Sequence, residues 1–203
     1  MSWLLAGIYD RFMARTEAVS LGAWRTELLG SLEGHIVEIG AGTGVNLAHY
    51  GDGPESLALC EPDRGMRRQL EARLPTHGRA RALAAGAERL PFEDGTVDVV
   101  VGTLVFCTVP EPARALAEAR RILKPGGRLV FLEHVAAPDG TRDRRTQGWV
   151  DPVWRHLAGG CRLVRDTEAA IRAAGFDIER LERAPMKPAP RFVRPTIRGV
   201  ARR

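Results

Sequence analysis

The stretch "VEIGAGTGVN", residues 37 to 46, sets three glycines within five positions directly after an apolar run. A chain can carry such a turn only where a strand ends and its backbone must bend sharply or approach something closely. What it approaches is narrowed by spacing. A dinucleotide fingerprint needs glycines at the first, third and sixth positions of the turn. Here Gly40 and Gly42 fit, but the sixth position is Val45. A phosphate-cradling loop needs a Gly-Lys-Ser/Thr ending, and no lysine is present in this stretch. The spacing suits a ligand whose adenosine end lies along strand ends without a pyrophosphate.

The surrounding pattern supplies the fold class. Residues 4 to 30 have helical spacing (Leu4, Leu5, Ile8, Phe12, then Trp24, Leu28, Leu29), with Gly22 expected to separate two helices. "HIVEIG", "LALCE", "ARALA", "VDVVVGTLVF" and "RLVFLEHV" are predicted strands. Helical segments fall between them: Asn46 to Tyr50, "RGMRRQLEARL" and "PARALAEARRIL", the last halted by Lys124-Pro125-Gly126-Gly127. The nearly unbroken apolar run from Val97 is that of a strand covered on both faces. Asp98, at its start, is expected to fix backbone. Alternating strands and helices predict a right-handed, doubly wound α/β sheet. After Val135 the pattern breaks into an insertion, then resumes with the helix "DTEAAIRAAGF" and strands "FDIERLER" and "FVRPTIRGVA". With 203 residues and no repeat or linker, a single domain over 1–203 is expected.

Glu61 follows the second strand, 21 residues after Gly40. An acid there can accept both hydroxyls of a ribose and would repel a phosphorylated one. Cys60, Cys107 and Cys161 are odd in number, widely spaced and without a CxxC, which argues against a disulfide framework or a metal site. The N-terminal "MSWLLAGIYDRF" is too short an apolar stretch for a signal peptide or span, so a cytoplasmic location is expected. The net charge of +5 is spread among acids except in "RFVRPTIRGVARR", as expected of a solvated surface.

In this order and spacing, "VEIGAGTG", "CEPDRGM", "AAGAERLPFEDGTVDVVV", "TLVFCTVPEP" and "RILKPGGRLVFLEH" resemble the class I S-adenosylmethionine-dependent methyltransferases over residues 35 to 134. The resemblance implies a Rossmann-like, seven-stranded sheet with an antiparallel last strand, an N-terminal helical cap (1–33) and a lid inserted after strand five (136–165). It implies S-adenosyl-L-methionine as cofactor, held by Glu38, Gly40, Ala41 and Gly42 around the methionine part. Glu61 would take the ribose, with Pro62 and Met66 at the adenine wall and Ala87 and Glu88 at the adenine edge. Leu104 and its neighbours to Cys107 would line the methyl end. Many relatives carry Asp where this chain has Gly86.

Farther along, "LEHV", "WVDPVWRHLAGGCRLVRDT" and "FVRPTIRGVA" resemble the alkyl thiol S-methyltransferases among the methyltransferase-like proteins. That likeness implies a small-molecule thiol acceptor, with Glu133 and His134 as candidate catalytic residues. Trp149, Asp151, Trp154 and Cys161 would form the lid, and Tyr9 and Phe12 would close the pocket. A thiol suits the chemistry, because a few per cent is thiolate near neutrality and little help from a base is needed. A quinone-like or lipid acceptor, methylated on carbon, oxygen or nitrogen, is the alternative, and a non-catalytic S-adenosylmethionine-binding protein the reading from another class. No Asn/Asp-Pro-Pro-Tyr motif or target-recognition domain is present, so nucleic acid is not an expected partner. No membrane span is expected, and peripheral contact with a membrane is left open.

Overall fold

The structure, a computed structural model, describes residues 13–76 and 78–203. Tyr9, Phe12 and the first predicted helical stretch lie largely outside these residues. Seven strands form one sheet: β1 (Gly34–Ile39), β2 (Pro54–Cys60), β3 (Ala80–Leu83), β4 (Val97–Thr103), β5 (Leu123–His134), β6 (Asp177–Pro185) and β7 (Pro195–Arg202). Their order is β3-β2-β1-β4-β5-β7-β6. The pairings β1 to β2, β2 to β3, β1 to β4 and β4 to β5 are parallel, and β7 runs antiparallel between β5 and β6. The chain therefore winds outward from β1 to β3, then returns to β4. The C-terminal ends of β1 and β4 flank the point of reversal, where open α/β sheets place their ligands.

Alternation along the strands explains the two cores. Val37, Ala58, Val100, Leu129 and Phe131 pack against Ala115, Leu116, Ala119 and Ile122 of α3 (Pro112–Ile122) and Ile171 of α5 (Thr167–Ala173). The opposite set, Ile36, Leu57, Leu59, Val99, Val101, Val130 and Leu132, packs against Leu28 and Leu29 of α1 (Gly22–Leu29), Leu70 of α2 (Arg64–Arg73) and Trp154 of α4 (Arg142–Leu157). Both faces of β4 are thus covered, as its apolar run requires. Asp98, the polar exception, accepts the His35 N–H at 2.8 Å and pairs with Lys124 at 2.6 Å, fixing backbone as expected.

Four local expectations need correction. Gly22 does not break the N-terminal helix: its φ of −58° and ψ of −47° are helical. The helix runs from residue 13 to Leu29 through one wide π turn, Glu17–Leu21, closed by the Gly22 N–H on the Glu17 carbonyl. A Cβ at Gly22 would lie 2.9 Å from that carbonyl oxygen, so glycine serves the wide turn itself. The helix expected after the glycine turn is only a 3-10 segment, Val45–His49, because Tyr50 is already extended. The predicted strand to Phe106 stops at Thr103, since Leu104 takes a left-handed φ of 57°. Lys124-Pro125-Gly126-Gly127 lies inside β5 rather than ahead of it.

Gly199 shows how tightly the antiparallel end is packed. A Cβ there would sit 1.9 Å from the Arg180 carbonyl oxygen and 3.0 Å from Phe131 Cζ. The strand would have to move away from a backbone group and an aromatic core residue together. Gly199→Ala is expected to cost about 1–3 kcal/mol. Urea unfolding should show a lower midpoint with the slope unchanged.

Candidate functional site

Gly40 and Gly42, at the end of β1, both have positive φ (62° and 59°), for different reasons. A Cβ at Gly40 would lie 2.4 Å from Val105 Cγ2, so the turn after β4 presses on this position. A Cβ at Gly42 would meet nothing within 4 Å among the described residues, so this position faces space over the strand ends. The Ala41 N–H bonds the Cys60 carbonyl at 3.1 Å, tying the turn to the end of β2.

Beneath the turn lies a buried polar network. Arg25 of α1 donates to Asn46 Oδ1 at 2.6 Å and to Thr103 Oγ1 at 2.9 Å, and pairs with Glu17 at 2.9 Å. Asn46 donates to Glu38 Oε1 at 2.9 Å, and the Tyr50 hydroxyl donates to Glu38 Oε2 at 2.7 Å. Glu38 thus turns its carboxylate into the protein. Burial pushes its pKa up to about 7, against the pull of Tyr50, Asn46 and Arg25.

Glu61 stands at the edge of the same space. It accepts the Gly42 N–H at 2.9 Å on one oxygen and the Asp63 N–H at 2.8 Å on the other. A carboxylate has about four lone-pair sites, so two acceptor directions remain. Burial raises its pKa, opposed by the two N–H donors. Asp63 caps α2 by accepting the Met66 N–H at 3.0 Å, which sets the half-buried Met66 and the exposed Pro62 beside Glu61. Ala87 is buried and Glu88 half-buried, and next to them a Cβ at Gly86 would meet only Glu88 Oε2, at 3.6 Å.

The two residues ending β5 differ from each other. Glu133 is fully buried and accepts the N–H groups of Val105, Phe106 and Cys107 at 2.9, 3.0 and 2.9 Å. Its carboxyl is pushed well above the usual range by burial and by the neighbouring Cys107, while those three donors pull it back. Three of its roughly four acceptor directions are taken by backbone donors, so this side chain fixes the turn. His134 is 1% exposed, and among the described residues neither ring nitrogen makes a hydrogen bond of good geometry, although the Phe192 backbone lies close to the ring. Burial lowers its pKa to about 4, leaving a neutral imidazole near pH 7.

The inserted stretch is built around α4. Gln147 is fully buried: its carbonyl oxygen accepts the Ala137 N–H at 2.7 Å, and its amide donates to the Phe192 carbonyl at 3.0 Å. One turn on, Asp151 accepts the Leu163 N–H at 2.6 Å. Trp154 packs edge-on against Phe192, with ring centroids 5.5 Å apart. Trp149 is 88% exposed, on the opposite side of the helix, and lines neither the core nor the crevice. Arg25, Asn46, Tyr50, Gln147 and Arg165 were not singled out from the sequence. The spacing of Gln147 with Asp151 and Trp154 along one helical face was the available signal for Gln147.

With this geometry in view, likeness to known proteins is informative. The family described as "Methyltransferase domain" matches residues 37–131. Thiol S-methyltransferase TMT1A of Homo sapiens is 31% identical over 215 residues, covering 98% of this chain and 88% of that protein. Thiol S-methyltransferase TMT1B of Homo sapiens is 36% identical over 154 residues, covering 74% of this chain; the chain spans only 63% of that relative's length. A solved S-adenosylmethionine dependent methyltransferase from Mesorhizobium loti, 19% identical, superposes with a TM-score of 0.69, covering 93% of this chain and 100% of its own. The last likeness is one of fold. Among the described residues, no helix is long and apolar enough to cross a membrane.

The buried Glu38 carboxyl carries a pH signature. Its folded pKa, about 7, lies above the ordinary 4.5, so the folded state holds this proton more tightly than the unfolded chain. The stability it contributes is full below pH 4.5 and is lost as pH rises through 7. Glu38→Gln lacks that loss. Its melting temperature should gain on the wild type across this interval, and a constant difference would show that Glu38 does not titrate there.

Proposed function

Because the chain belongs to the methyltransferase domain family, we propose that it carries a methyl group from S-adenosylmethionine to the sulfur of a small apolar thiol. The observation that carries the acceptor is the likeness to thiol S-methyltransferase TMT1A over 98% of the chain, insertion included. The donor fits the residues present. Gly42 faces space where a Cβ would meet nothing within 4 Å among the described residues, and Glu61 beside it keeps two acceptor directions for ribose hydroxyls. When bound, the donor supplies an electrophilic methyl on a sulfonium.

In this reading the backbone from Gly40 to Gly42 lies along the methionine part, above Glu38. Pro62 and Met66 flank the adenine, and Ala87 and Glu88 meet its edge without the side chain that Gly86 lacks. The turn from Leu104 to Cys107, held by Glu133, lines the methyl end. Residues 136–165 act as the lid of the single domain, with Trp154 and Cys161 over the acceptor. Alignment and exclusion of water then do most of the catalytic work.

Among the described residues neither candidate at the end of β5 is a ready base, which favours sulfur over oxygen. Glu133 is engaged, and His134 is too weakly basic, at a pKa of about 4, to take a proton from an alcohol. A thiol with a reference pKa of about 8.5 brings its own thiolate. Three unpaired cysteines suit a reducing, cytoplasmic setting.

Methyl-labelled donor, incubated with the protein and a panel of alkyl thiols and matched alcohols, tests this. Label should appear on sulfur and not on oxygen, with a rate below saturation that rises with pH until the thiol is ionised. Labelled quinols or lipid amines with inert thiols would overturn the acceptor, and no turnover with any acceptor would overturn the enzyme. Glu61→Ala should weaken donor binding by about 1.5–3 kcal/mol in calorimetry, the range for a hydrogen bond to a charged group. Unchanged affinity would remove Glu61 from the site.

A further inference from the structure

Two cysteines 54 residues apart in the chain meet beside the crevice. The Arg162 N–H donates to the Cys107 carbonyl at 2.9 Å. A Cβ at Gly160 would lie 3.1 Å from the Thr108 carbonyl oxygen, so the stretch after α4 lies directly on the turn after β4. These two contacts set Cys107 and Cys161 side by side across the two segments, close enough for each thiol to shift the ionisation of the other. Cys107 is buried and Cys161 partly exposed, whereas Cys60 lies fully buried in β2.

The surroundings treat the two sulfurs differently. Trp154 lies near Cys161, its buried indole N–H without a hydrogen-bond partner among the described residues. The neighbouring Cys107 and Trp154 lower the Cys161 pKa, against burial and the Glu133 and Asp151 carboxyl groups. The neighbouring Cys161 thiol and burial raise that of Cys107 well above the ordinary range. The Arg165 guanidinium lies near both sulfurs and donates to the Phe106 carbonyl at 2.6 Å. Access and the lowered pKa therefore fall on the same residue, and the buried thiol lies behind it.

We propose that Cys107 and Cys161 form a dithiol–disulfide couple, oxidised by small-molecule disulfides, that bridges the segment after α4 to the turn after β4. The Cys161 thiolate attacks one sulfur of the small disulfide. That S–S bond breaks, and the first thiolate leaves and takes up the proton Cys161 gave to solvent. Cys107 then attacks the Cys161 sulfur of the mixed disulfide, loses its proton and expels the second small thiol. Two protein thiols are oxidised to one disulfide, and one small disulfide is reduced to two thiols. No methyl donor takes part, so the couple stands or falls independently of the transferase reading.

The test uses the reduced, folded protein with excess 2-hydroxyethyl disulfide, followed by intact mass and by peptide mapping without reductant. The expected product has lost two hydrogens and yields one peptide pair joined through Cys107 and Cys161. Cys107→Ser should stop at a mixed disulfide on Cys161, and Cys161→Ser should leave Cys107 unmodified. Should Cys107→Ser fail to fold, the wild type and Cys161→Ser, changed at the more exposed position, decide the matter. Stable adducts on both cysteines without a bridge, a bridge to Cys60, or no reaction before unfolding would each overturn the couple.

Discussion

Glu133 spends both carboxylate oxygens on the N–H groups of Val105, Phe106 and Cys107, and the crevice takes its shape from that grip. A buried N–H left without a partner costs about 1–3 kcal/mol, so three of them cannot be left unmet in a turn this deep. With the three held, Leu104 can adopt a left-handed φ that a leucine otherwise avoids. Its own N–H closes on the Leu132 carbonyl at 2.7 Å. The turn then drives Val105 against the end of β1, where only glycine fits at position 40. Sharp turns at the ends of both β1 and β4 follow from one side chain on β5.

A second buried group joins the N-terminal helix to the same place. Arg25 reaches from α1 to Asn46 and Thr103, and Asn46 in turn holds Glu38. Removing charges from water is costly, and such networks are weak stabilisers. Their geometric effect is stronger, because Arg25 and Asn46 must reach acceptors on several elements at once, which fixes how those elements meet. Helix, glycine turn and β4 are fixed together, so the space above Gly42 is a property of the whole fold.

The sequence made the local features legible. Gly40, Gly42 and Gly44 announce a turn through spacing alone, and the acid at position 61 lies near enough in sequence to be paired with it. Strand and helix periods were readable because each is set by neighbours within a few residues. What could not be read depends on distant partners. Glu133 looks like a free acid at a strand end until the three N–H groups from residues 105 to 107 meet it. His134 looks like a base until burial is known. Gly22 resembles a helix break, although the wide turn behind it requires glycine. Gln147 sits in a polar helix and gives no local sign that it satisfies the backbone of Ala137 and Phe192.

The donor site is the centre of this picture, and a crystal structure with S-adenosylhomocysteine bound tests it most directly. The expected result has the ribose hydroxyls on the Glu61 carboxylate and the amino-acid end above Gly42, with Glu133 still holding the turn beyond β4. A ligand seated elsewhere, or one that leaves Glu61 and Gly42 uncovered, would contradict it.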